Sequence, residues 1–428
     1  MSATTPRQFT AGGRLRPGSL GFTVVLSMAM AATALSVDAV LPTLPDIRNE
    51  LDLGATSNAA AALVTAYLVG SSIAFLPAGM LADRYGRRPI MWGGFVLYVV
   101  GAIGASVAPS LPLMLAGRFV WGLGSAGPRV AAQAMVRDVY EGERMARQMS
   151  YIMAVFLLVP TFAPSLAAGV LAVGPWQLVF WLCALLGVVG AISVRTLPET
   201  LHREDRRSLA PGEAWRSCRL VLATPGTVGY LVSLVALFSV FLSYLASSES
   251  ILSEVFGRGG WWFPIWFGCL GIVMGIGMLC NGRFVQRIGL DRTIGWLFAG
   301  YGLGAATMLV VALATSGRPP FWLFTAILAG ALVHHAVLIP NLNSAAMRPL
   351  AHVAGTGTAI LGMVAGTGGA LIGAVIDRLL DDTITPLAVG FALSSVVGFL
   401  AWRRATAARP PARPPAAVAV DLDVAGRA

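Results

Sequence analysis

Three carboxyl groups and two imidazoles lie within long apolar stretches of this sequence, where a charged side chain is costly. They are Asp38, Glu249, Asp377, His334 and His335. A charge held at the centre of a bilayer costs about 2.5–3.5 kcal/mol on insertion scales, so such a group indicates a function by default. Carboxyl and imidazole groups can take up and release a proton, which the arginines in these stretches cannot do at physiological pH. The chemistry that these residues predict is proton transfer inside a membrane.

The elements that must hold these groups are membrane-spanning helices. The chain has 428 residues, 56% of them hydrophobic, and its mean hydropathy is +0.75. A soluble domain with so little polar surface would aggregate, so we predict an all-α integral membrane protein. Twelve apolar runs are long enough to cross the hydrocarbon core. They cover 20–43, 58–82, 89–108, 112–134, 149–173, 176–197, 227–254, 263–284, 293–314, 320–344, 355–379 and 384–402.

The distribution of basic residues predicts the orientation of these spans. All 30 basic residues are arginines. With both termini in the cytoplasm, most of them fall in cytoplasmic segments, as the positive-inside rule requires. The exceptions are the external Arg48, Arg258, Arg318 and Arg378 and the two arginines within spans, Arg118 and Arg129. We therefore predict a multi-pass protein of the cell inner (plasma) membrane whose basic segments contact anionic lipid. Nucleic-acid binding is not expected, because the arginines are scattered over separate short loops.

The longest polar interruption divides the spans six and six, which predicts two helical bundles joined by a cytoplasmic linker. A tail rich in proline, alanine and arginine follows the last span and is predicted to be disordered. The predicted segments are a cytoplasmic N-terminal segment at 1–19, an N-terminal bundle at 20–197, the linker at 198–226, a C-terminal bundle at 227–403 and the tail at 404–428.

The two predicted bundles carry a faint internal repeat. The first span ends SVDAVLPTLP and the seventh ends SSESILSEVF, which sets Asp38 opposite Glu249. Further on, ADRYG at 82–86 aligns with VQRIG at 285–289. Weak symmetry between two six-span halves is typical of rocking-bundle transporters, whose substrate site lies between the halves near mid-membrane.

Asp38 and Arg118 lie at similar depth near the outer ends of the first and fourth spans. Burial favours the neutral form of a carboxyl group, whereas a nearby guanidinium favours its charged form. The proton affinity of Asp38 would then change as the pair closes or parts, which a proton-coupled switch requires. We predict a proton-coupling role for Asp38 and Arg118; a permanent structural ion pair is the alternative.

Glu249 and the two histidines are further candidates in the second bundle. Glu249 lies at the depth of Asp38 and can select cations or act as a second proton-coupling site; the alternative is a solvated position near the outer water. His334 and His335 lie near the middle of the tenth span, about 100° apart around the helix, so at most one faces a cavity squarely. A buried histidine bonded to a neighbouring carbonyl is an equally good interpretation, and their role stays open.

Aromatic and amide side chains at mid-span are the candidates for a substrate site. A large, mostly apolar pocket with few polar anchors suits variable hydrophobic ligands. Each candidate can equally be an ordinary packing residue, and no metal-ligand spacing accompanies them. The predicted substrate-binding residues are Tyr67, Phe241, Tyr244, His334 and Asn341.

A cytoplasmic turn between the second and third spans gathers several charges in the stretch GMLADRYGRRP, at 79–89. Its arginines hold the turn inside the membrane, and its central glycine allows a tight bend. Its aspartate can pair with an arginine or accept from a helix N-terminus across the boundary between the bundles. Such a contact would hold one access state and break in the other. The residues predicted to gate the conformational change are Gly79, Asp83, Arg84, Gly86, Arg87 and Arg88.

The same stretch resembles the loop signature of the major facilitator superfamily, G-x-L-A-D-R-x-G-R-R-P. Other stretches resemble the bicyclomycin/chloramphenicol-resistance branch of the drug:proton antiporters. They are VDAVLPTLPDI (37–47), TAYLVGSSIAFLPAGMLADRYGRRP (65–89), AMVRDVY (134–140), LPETL (197–201), SYLASSESILSEVFG (243–257) and IPNLNSAAM (339–347). The resemblance implies the major facilitator fold and export of small, mostly apolar compounds in exchange for protons.

The resemblance also bears on individual residues. Arg118, in GRFVWGLGSA, matches the fourth-span arginine that the family associates with proton transfer. The fifth span reads APSLAA at 163–168 where the antiporters have G-P-x-x-G-G, and Glu249 stands where the branch has proline. These departures leave the coupling direction, the substrate charge and the proton stoichiometry open.

Together these features predict a proton-coupled efflux transporter for small hydrophobic or amphipathic compounds, working by alternating access as a monomer. No cofactor is expected, because the proton gradient would drive transport. Proton symport or facilitated uptake of a small metabolite on the same fold is the alternative. A membrane-embedded enzyme is not expected, because the sequence contains no HExxH motif, nucleophile elbow or large extramembrane segment.

Overall fold

The computed structural model of the chain describes residues 13–53, 58–202, 204, 206, 212–349, 354–380 and 383–408. Within these ranges all regular structure is helical, with fourteen α-helices. They are α1 Leu20–Asp38, α2 Leu44–Glu50, α3 Ala62–Tyr85, α4 Arg87–Ser106, α5 Leu111–Val139, α6 Gly142–Leu171, α7 Gln177–Val194, α8 Glu213–Ala223, α9 Thr227–Ser250, α10 Trp262–Ile288, α11 Leu290–Ala314, α12 Phe321–Met347, α13 Ala354–Leu379 and α14 Thr385–Ala407. Most of the predicted N-terminal segment and tail lies outside the described residues.

The long helices have the number and composition of a twelve-span membrane protein. In the described part of the chain, eleven helices are long and apolar enough to cross a membrane. The helix α5 is a twelfth of comparable length, with 29 residues, but it includes Arg118, Arg129 and Arg137 and is therefore less apolar. Its place between two spans makes it a membrane helix too, and the predicted all-α membrane fold is confirmed.

The outer end of the first span differs from the prediction. The apolar run continues to residue 43, but α1 ends at Asp38 and is followed by a 3-10 turn at Leu41–Thr43 and by α2. Pro42 and Pro45 stand in the first turns of these two segments. Proline has no N–H to continue the preceding helix but fits the start of a new one, so the chain turns here. Asp38 consequently lies at a helix end.

The long helices form two groups of six. In the first group α5 packs against α3 and α4, α7 packs against α4, and α6 packs against α1. In the second group α9 packs against α13 and α14, and α12 packs against α10 and α11. We call α1–α7 the N-half, α9–α14 the C-half and the surface between them the seam. Across the seam α3 contacts α13 and α6 contacts α10, while α8, in the predicted linker, packs against α9 and α13.

Glycines let α3 and α5 pack with their backbones in contact. A Cβ atom at Gly122 would lie 2.1 Å from the carbonyl oxygen of Tyr67, and one at Gly70 would lie 2.3 Å from that of Phe119. Side chains at these positions would force the two helices apart, as in other close helix pairs built on small residues. This contact sets the distance between Tyr67 and Arg118.

The variant Gly122→Ala is expected to lower the free energy of unfolding by about 1–3 kcal/mol, because the added methyl group overpacks a backbone contact. Gly104→Ala on α4 is the matched control, since nothing in the described structure lies within 4 Å of its Cβ position. Thermal unfolding of the detergent-purified variants measures the difference. Equal melting temperatures would show that α3 and α5 are not in backbone contact at Gly122.

Candidate functional site

Asp38 lies at the seam, at the C-terminal end of α1. The residue is 4% exposed, and no hydrogen bond or ion pair to its side chain is found within the described ranges. Tyr244 of α9 is close enough to interact with its carboxyl group electrostatically. The carboxyl group therefore lies within electrostatic reach of the opposite half of the molecule.

Arg118 does not form the predicted pair with Asp38 in this conformation. Its Nε atom donates to the carbonyl oxygen of Leu63 in α3 at 3.1 Å, and its Nη1 atom donates to that of Ser36 in α1 at 3.0 Å. The guanidinium is fully buried, 4.7 Å from the ring centre of Tyr67. Arg118 thus binds the backbone of α1 two residues before Asp38 rather than the carboxyl group of Asp38. In this conformation the hydrogen bonds of Arg118 hold three helices of the N-half together. The proton-coupling role of Arg118 stays a prediction.

An ion pair joins the two halves at their outer ends. Arg48 of α2 pairs with Glu254, just beyond α9, and donates to Ser250 Oγ at 3.2 Å. The side chains of Arg48 and Glu254 are 7% and 23% exposed, so the contact is largely shielded from water. We call the Arg48–Glu254 pair the outer latch. Sequence analysis missed it, although opposite charges near the outer ends of the two aligned spans were a usable signal.

Glu249 lies directly beside the outer latch. The residue is 3% exposed, and one of its carboxyl oxygens has no hydrogen-bond partner in the described structure. The charged groups that act on it are Arg48, Glu254 and Asp46. The solvated alternative is therefore wrong for this conformation, because the carboxyl group is buried. Its role in proton coupling stays a prediction.

The variant Arg48→Ala is expected to open the outer side of the molecule. Removing Arg48 leaves the carboxylate of Glu254, whose side chain is 23% exposed, without this partner, at a cost of about 1–3 kcal/mol. Ala61, 3% exposed, lies in a segment that contacts α9, and Ala61→Cys in a chain without native cysteines reports on this closure. Labelling by a membrane-impermeant maleimide should accelerate about tenfold or more in the Arg48→Ala background.

The charge-reversed pair Arg48→Glu with Glu254→Arg is the control for the outer latch. It keeps both charges and should return the labelling rate of Ala61→Cys toward that of the parent chain. An unchanged rate in Arg48→Ala would mean that the latch does not hold the outer side closed.

Asp377 of α13 is bound to two serines of α9 inside the C-half. Ser243 Oγ and Ser247 Oγ donate to the same carboxyl oxygen at 2.6 and 2.7 Å. The two serines are four residues apart and so lie on one face of α9. Sequence analysis considered Asp377 as an ionisable group but missed these partners. The arrangement stabilises the α9–α13 contact.

The structure brings together Phe241 and Tyr244, two of the predicted substrate-binding residues, in an aromatic group of the C-half. The rings of Phe241 and His335 are stacked with their centres 4.9 Å apart. Tyr244 stacks on Phe267 of α10 at 6.4 Å. Because Tyr244 also interacts with Asp38 across the seam, this aromatic group adjoins the candidate proton site.

Of the two adjacent histidines, His335 rather than His334 belongs to this aromatic group. His335 is 1% exposed, and neither ring nitrogen has a hydrogen-bond partner within the described ranges. His334 points toward α11, where a Cβ atom at Gly300 would meet its ring, and its Nδ1 atom lies 2.7 Å from the carbonyl oxygen of Gly330. Because adjacent residues differ by about 100° around a helix, only one of them can face α9. The substrate contact of His334 stays a prediction, while the structure places His335 in the aromatic group.

Tyr67 and Asn341 make hydrogen bonds within their own halves. Tyr67 Oη donates to the carbonyl oxygen of Thr33 at 3.1 Å. Asn341 of α12 exchanges hydrogen bonds with the side-chain amide of Asn281 in α10, at 2.9 and 3.3 Å. Both polar groups are thus used in helix packing in this conformation, and their contact with substrate stays a prediction.

The charged turn at 79–89 is held together by acidic residues of α3, of α5 and of the segment that follows α7. Arg87 pairs with Asp83, and its Nε atom lies 3.0 Å from Asp138 of α5. The carboxylate of Glu199 accepts hydrogen bonds from the backbone N–H groups of Arg87 and Arg88 at 2.9 and 3.1 Å. Of the two predicted contacts of Asp83, the structure shows the pair with an arginine. Sequence analysis missed the two other acidic residues, although both lie in the quoted motifs AMVRDVY and LPETL.

The other residues of this turn that are predicted to gate the conformational change include Gly86, Gly79 and Arg84. Gly86 precedes α4 with φ of 112°, a left-handed conformation that favours glycine. A Cβ atom at Gly79 would make only an ordinary contact with Val130, at 3.8 Å. Arg84 is exposed in the last turn of α3. The gating role of all these residues stays a prediction.

The sequence of this chain is similar to a family model and to proteins that are named for drug resistance. Residues 26–374 match the family described as Major Facilitator Superfamily. The Bicyclomycin resistance protein homolog of Haemophilus influenzae is 24% identical over 382 residues, covering 89% of this chain and 95% of the relative. Multidrug resistance protein MdtL of Escherichia coli is 28% identical over 329 residues, covering 76% and 81%.

Solved structures share the fold at low sequence identity. The human organic anion transporter MFSD10 aligns with a TM-score of 0.65 and 17% identity, covering 91% of this chain and 100% of that one. The nucleoside transporter NupG aligns with a TM-score of 0.68 and 12% identity over the same shares. At this level of identity the likeness concerns the fold.

Proposed function

The chain belongs to the Major Facilitator Superfamily, and from that premise we propose that it exports small hydrophobic or amphipathic compounds in exchange for protons. Two of the relatives described above are named for bicyclomycin resistance and for multidrug resistance. The proposal places the protein in the plasma membrane with both termini in the cytoplasm, where the positive-inside rule puts most of its arginines.

The observation that carries the proposal is the position of Asp38. This carboxyl group is buried at the seam, and within the described ranges it has no hydrogen bond or ion pair. Closing the two halves around an ionised Asp38 would bury an unpaired charge, which is strongly unfavourable. Protonation removes that cost, so a proton on Asp38 and closure of the seam favour each other.

The proposed cycle follows from this link. With the outer latch closed, substrate enters from the cytoplasm and binds beside Asp38 and the aromatic residues Phe241, Tyr244 and His335. Its binding displaces the proton to the cytoplasm, the halves rock, and the substrate leaves on the outer side as Asp38 takes up a new proton. Glu249, beside the latch, is the second candidate carboxyl group for this exchange.

A drug-susceptibility panel tests the proposal. Cells with the gene should survive higher concentrations of some apolar compounds and accumulate less of them than cells without it. A protonophore should abolish the difference in accumulation. Greater accumulation in cells with the gene would instead support uptake by proton symport, and an effect insensitive to the protonophore would contradict proton coupling.

A further inference from the structure

Each half has a groove at the end of its third and sixth long helices, on the side where the charged turn lies. In the N-half the groove lies between α4 and α7, and Arg88, Trp92 and Arg195 are among its lining residues. In the C-half it lies between α11 and α14, lined by Arg292 and Arg403 with two tryptophans. The aligned motifs ADRYG and VQRIG immediately precede α4 and α11, so the grooves are equivalent positions of the internal repeat.

The N-half groove already holds an anionic group supplied by the chain itself. The carboxylate of Glu199 accepts from the first backbone N–H groups of α4, those of Arg87 and Arg88. A Cβ atom at Gly86 would lie 2.5 Å from one of its oxygens, so the carboxylate sits directly over this helix end. Helix N-termini favour anions because their N–H groups and dipole point outward.

The equivalent place in the C-half is open within the described structure. Nothing described lies within 4 Å of a Cβ atom at Gly289, the counterpart of Gly86. The acidic side chain in this groove, Asp291, is paired with Arg348 at 2.9 Å. Aligning Arg195 with Arg403 puts Ala407 where the N-half has Glu199, so the C-half lacks the built-in carboxylate. Its two groove arginines have no ion pair with a described residue.

A buried indole provides a second indication that the groove takes a ligand. Trp402 lines it and is 7% exposed, and its Nε1–H has no hydrogen-bond partner in the described part of the chain. Buried indole N–H groups usually donate to an acceptor. Trp296, on the opposite wall, is 73% exposed, as expected of an indole at a membrane interface.

The surface that continues from the groove is apolar. Further along α11, Leu303 is 71% exposed, and further along α14, Val396 is 56% exposed. A ligand with an anionic head and hydrocarbon chains fits both surfaces, because the head would bind in the groove and the chains would cover the apolar surface. A free anion would contact only the groove. We propose that the groove between α11 and α14 binds the phosphate of an anionic phospholipid.

Titration of the purified full-length protein with dioleoylphosphatidylglycerol, followed by native mass spectrometry, tests the site. Each arginine near an anionic headgroup contributes about a fivefold factor in affinity, so Arg292→Ala with Arg403→Ala is expected to weaken binding about 30-fold. Arg283→Ala with Arg287→Ala is the matched control, because it removes the same charge from exposed positions at the end of α10. Equal weakening in both double variants would overturn the proposal.

Two further measurements distinguish a lipid phosphate from free inorganic phosphate and test the role of the Trp402 indole. Dioleoylphosphatidylcholine should bind more weakly than the anionic lipid, and inorganic phosphate should not compete with it. Competition by inorganic phosphate at equal concentration would overturn the assignment to a lipid. Trp402→Phe keeps the ring packing but removes the N–H donor, and it should weaken lipid binding without changing the melting temperature; unchanged binding would contradict the role of the indole.

Discussion

Vesicles that contain the Asp38→Asn variant are expected to lose proton-driven export while the protein folds normally. Asparagine has nearly the shape of a protonated aspartate, so the seam closes around it without burying a charge. The side chain cannot ionise, and the step in which substrate displaces a proton is lost. Export driven by an imposed pH gradient should fall to the rate of vesicles without protein. Substrate exchange without a gradient should persist, because it does not require net proton movement.

The control for this prediction is Asp52→Asn. Asp52 is exposed near the outer side and has a φ of 48°, a left-handed conformation that asparagine also tolerates. This variant should export at the wild-type rate. Asp52→Asn should change the free energy of unfolding by no more than about ±0.5 kcal/mol, the range of surface substitutions. A cooperative thermal transition of Asp38→Asn shows that this variant folds. Full export by Asp38→Asn would remove the basis of the proposed coupling.

The second large effect is expected at Arg118, where stability and transport should fall together. Its two hydrogen bonds to backbone carbonyls hold α5 against α1 and α3. Hydrogen bonds to a charged group contribute about 1.5–3 kcal/mol each, so Arg118→Ala should lower the free energy of unfolding by about 3 kcal/mol or more. Arg118→Lys should be intermediate, because an ammonium lacks the planar fork that reaches both acceptors.

Thermal unfolding and export per folded molecule measure the two effects of the Arg118 variants. Arg137→Ala is the control, since it removes an exposed arginine from the same helix and should change neither quantity much. An Arg118→Ala protein that melts and transports like wild type would show that the guanidinium does not hold α5 against α1 and α3. A variant with wild-type stability and no export would favour a direct role in proton transfer.

The membrane fold was predictable from the sequence because hydropathy and charge asymmetry are local properties. Each apolar run needs only its own residues to be identified, and the division into six and six follows from one polar interruption. The end of α1 was placed too late because Val40 and Leu41 are as apolar as the span before them, while the turn is caused by Pro42 and Pro45. Hydropathy does not register that effect.

The candidate site was predictable in its residues but less so in their partners. The cost of a charge in the membrane pointed correctly to Asp38 and Glu249 as buried groups. In this conformation Arg118 binds backbone carbonyls rather than Asp38, because equal depth in two helices does not determine the direction of their side chains. The outer latch and the hydrogen bonds between Glu199 and the start of α4 depend on contacts between segments that are far apart in the sequence. Only the folded chain brings those segments together.

The central claim is that substrate and proton compete through Asp38, and proton release on substrate binding tests it most directly. The purified protein, in weakly buffered detergent solution with a pH indicator, is mixed with the compound that gives the largest effect in the susceptibility panel. The wild-type protein and Asp52→Asn should release protons on binding. Asp38→Asn, which resembles the protonated form, should bind the compound more weakly and release no protons even at a saturating concentration. Equal proton release by Asp38→Asn, or none by the wild type, would contradict the account.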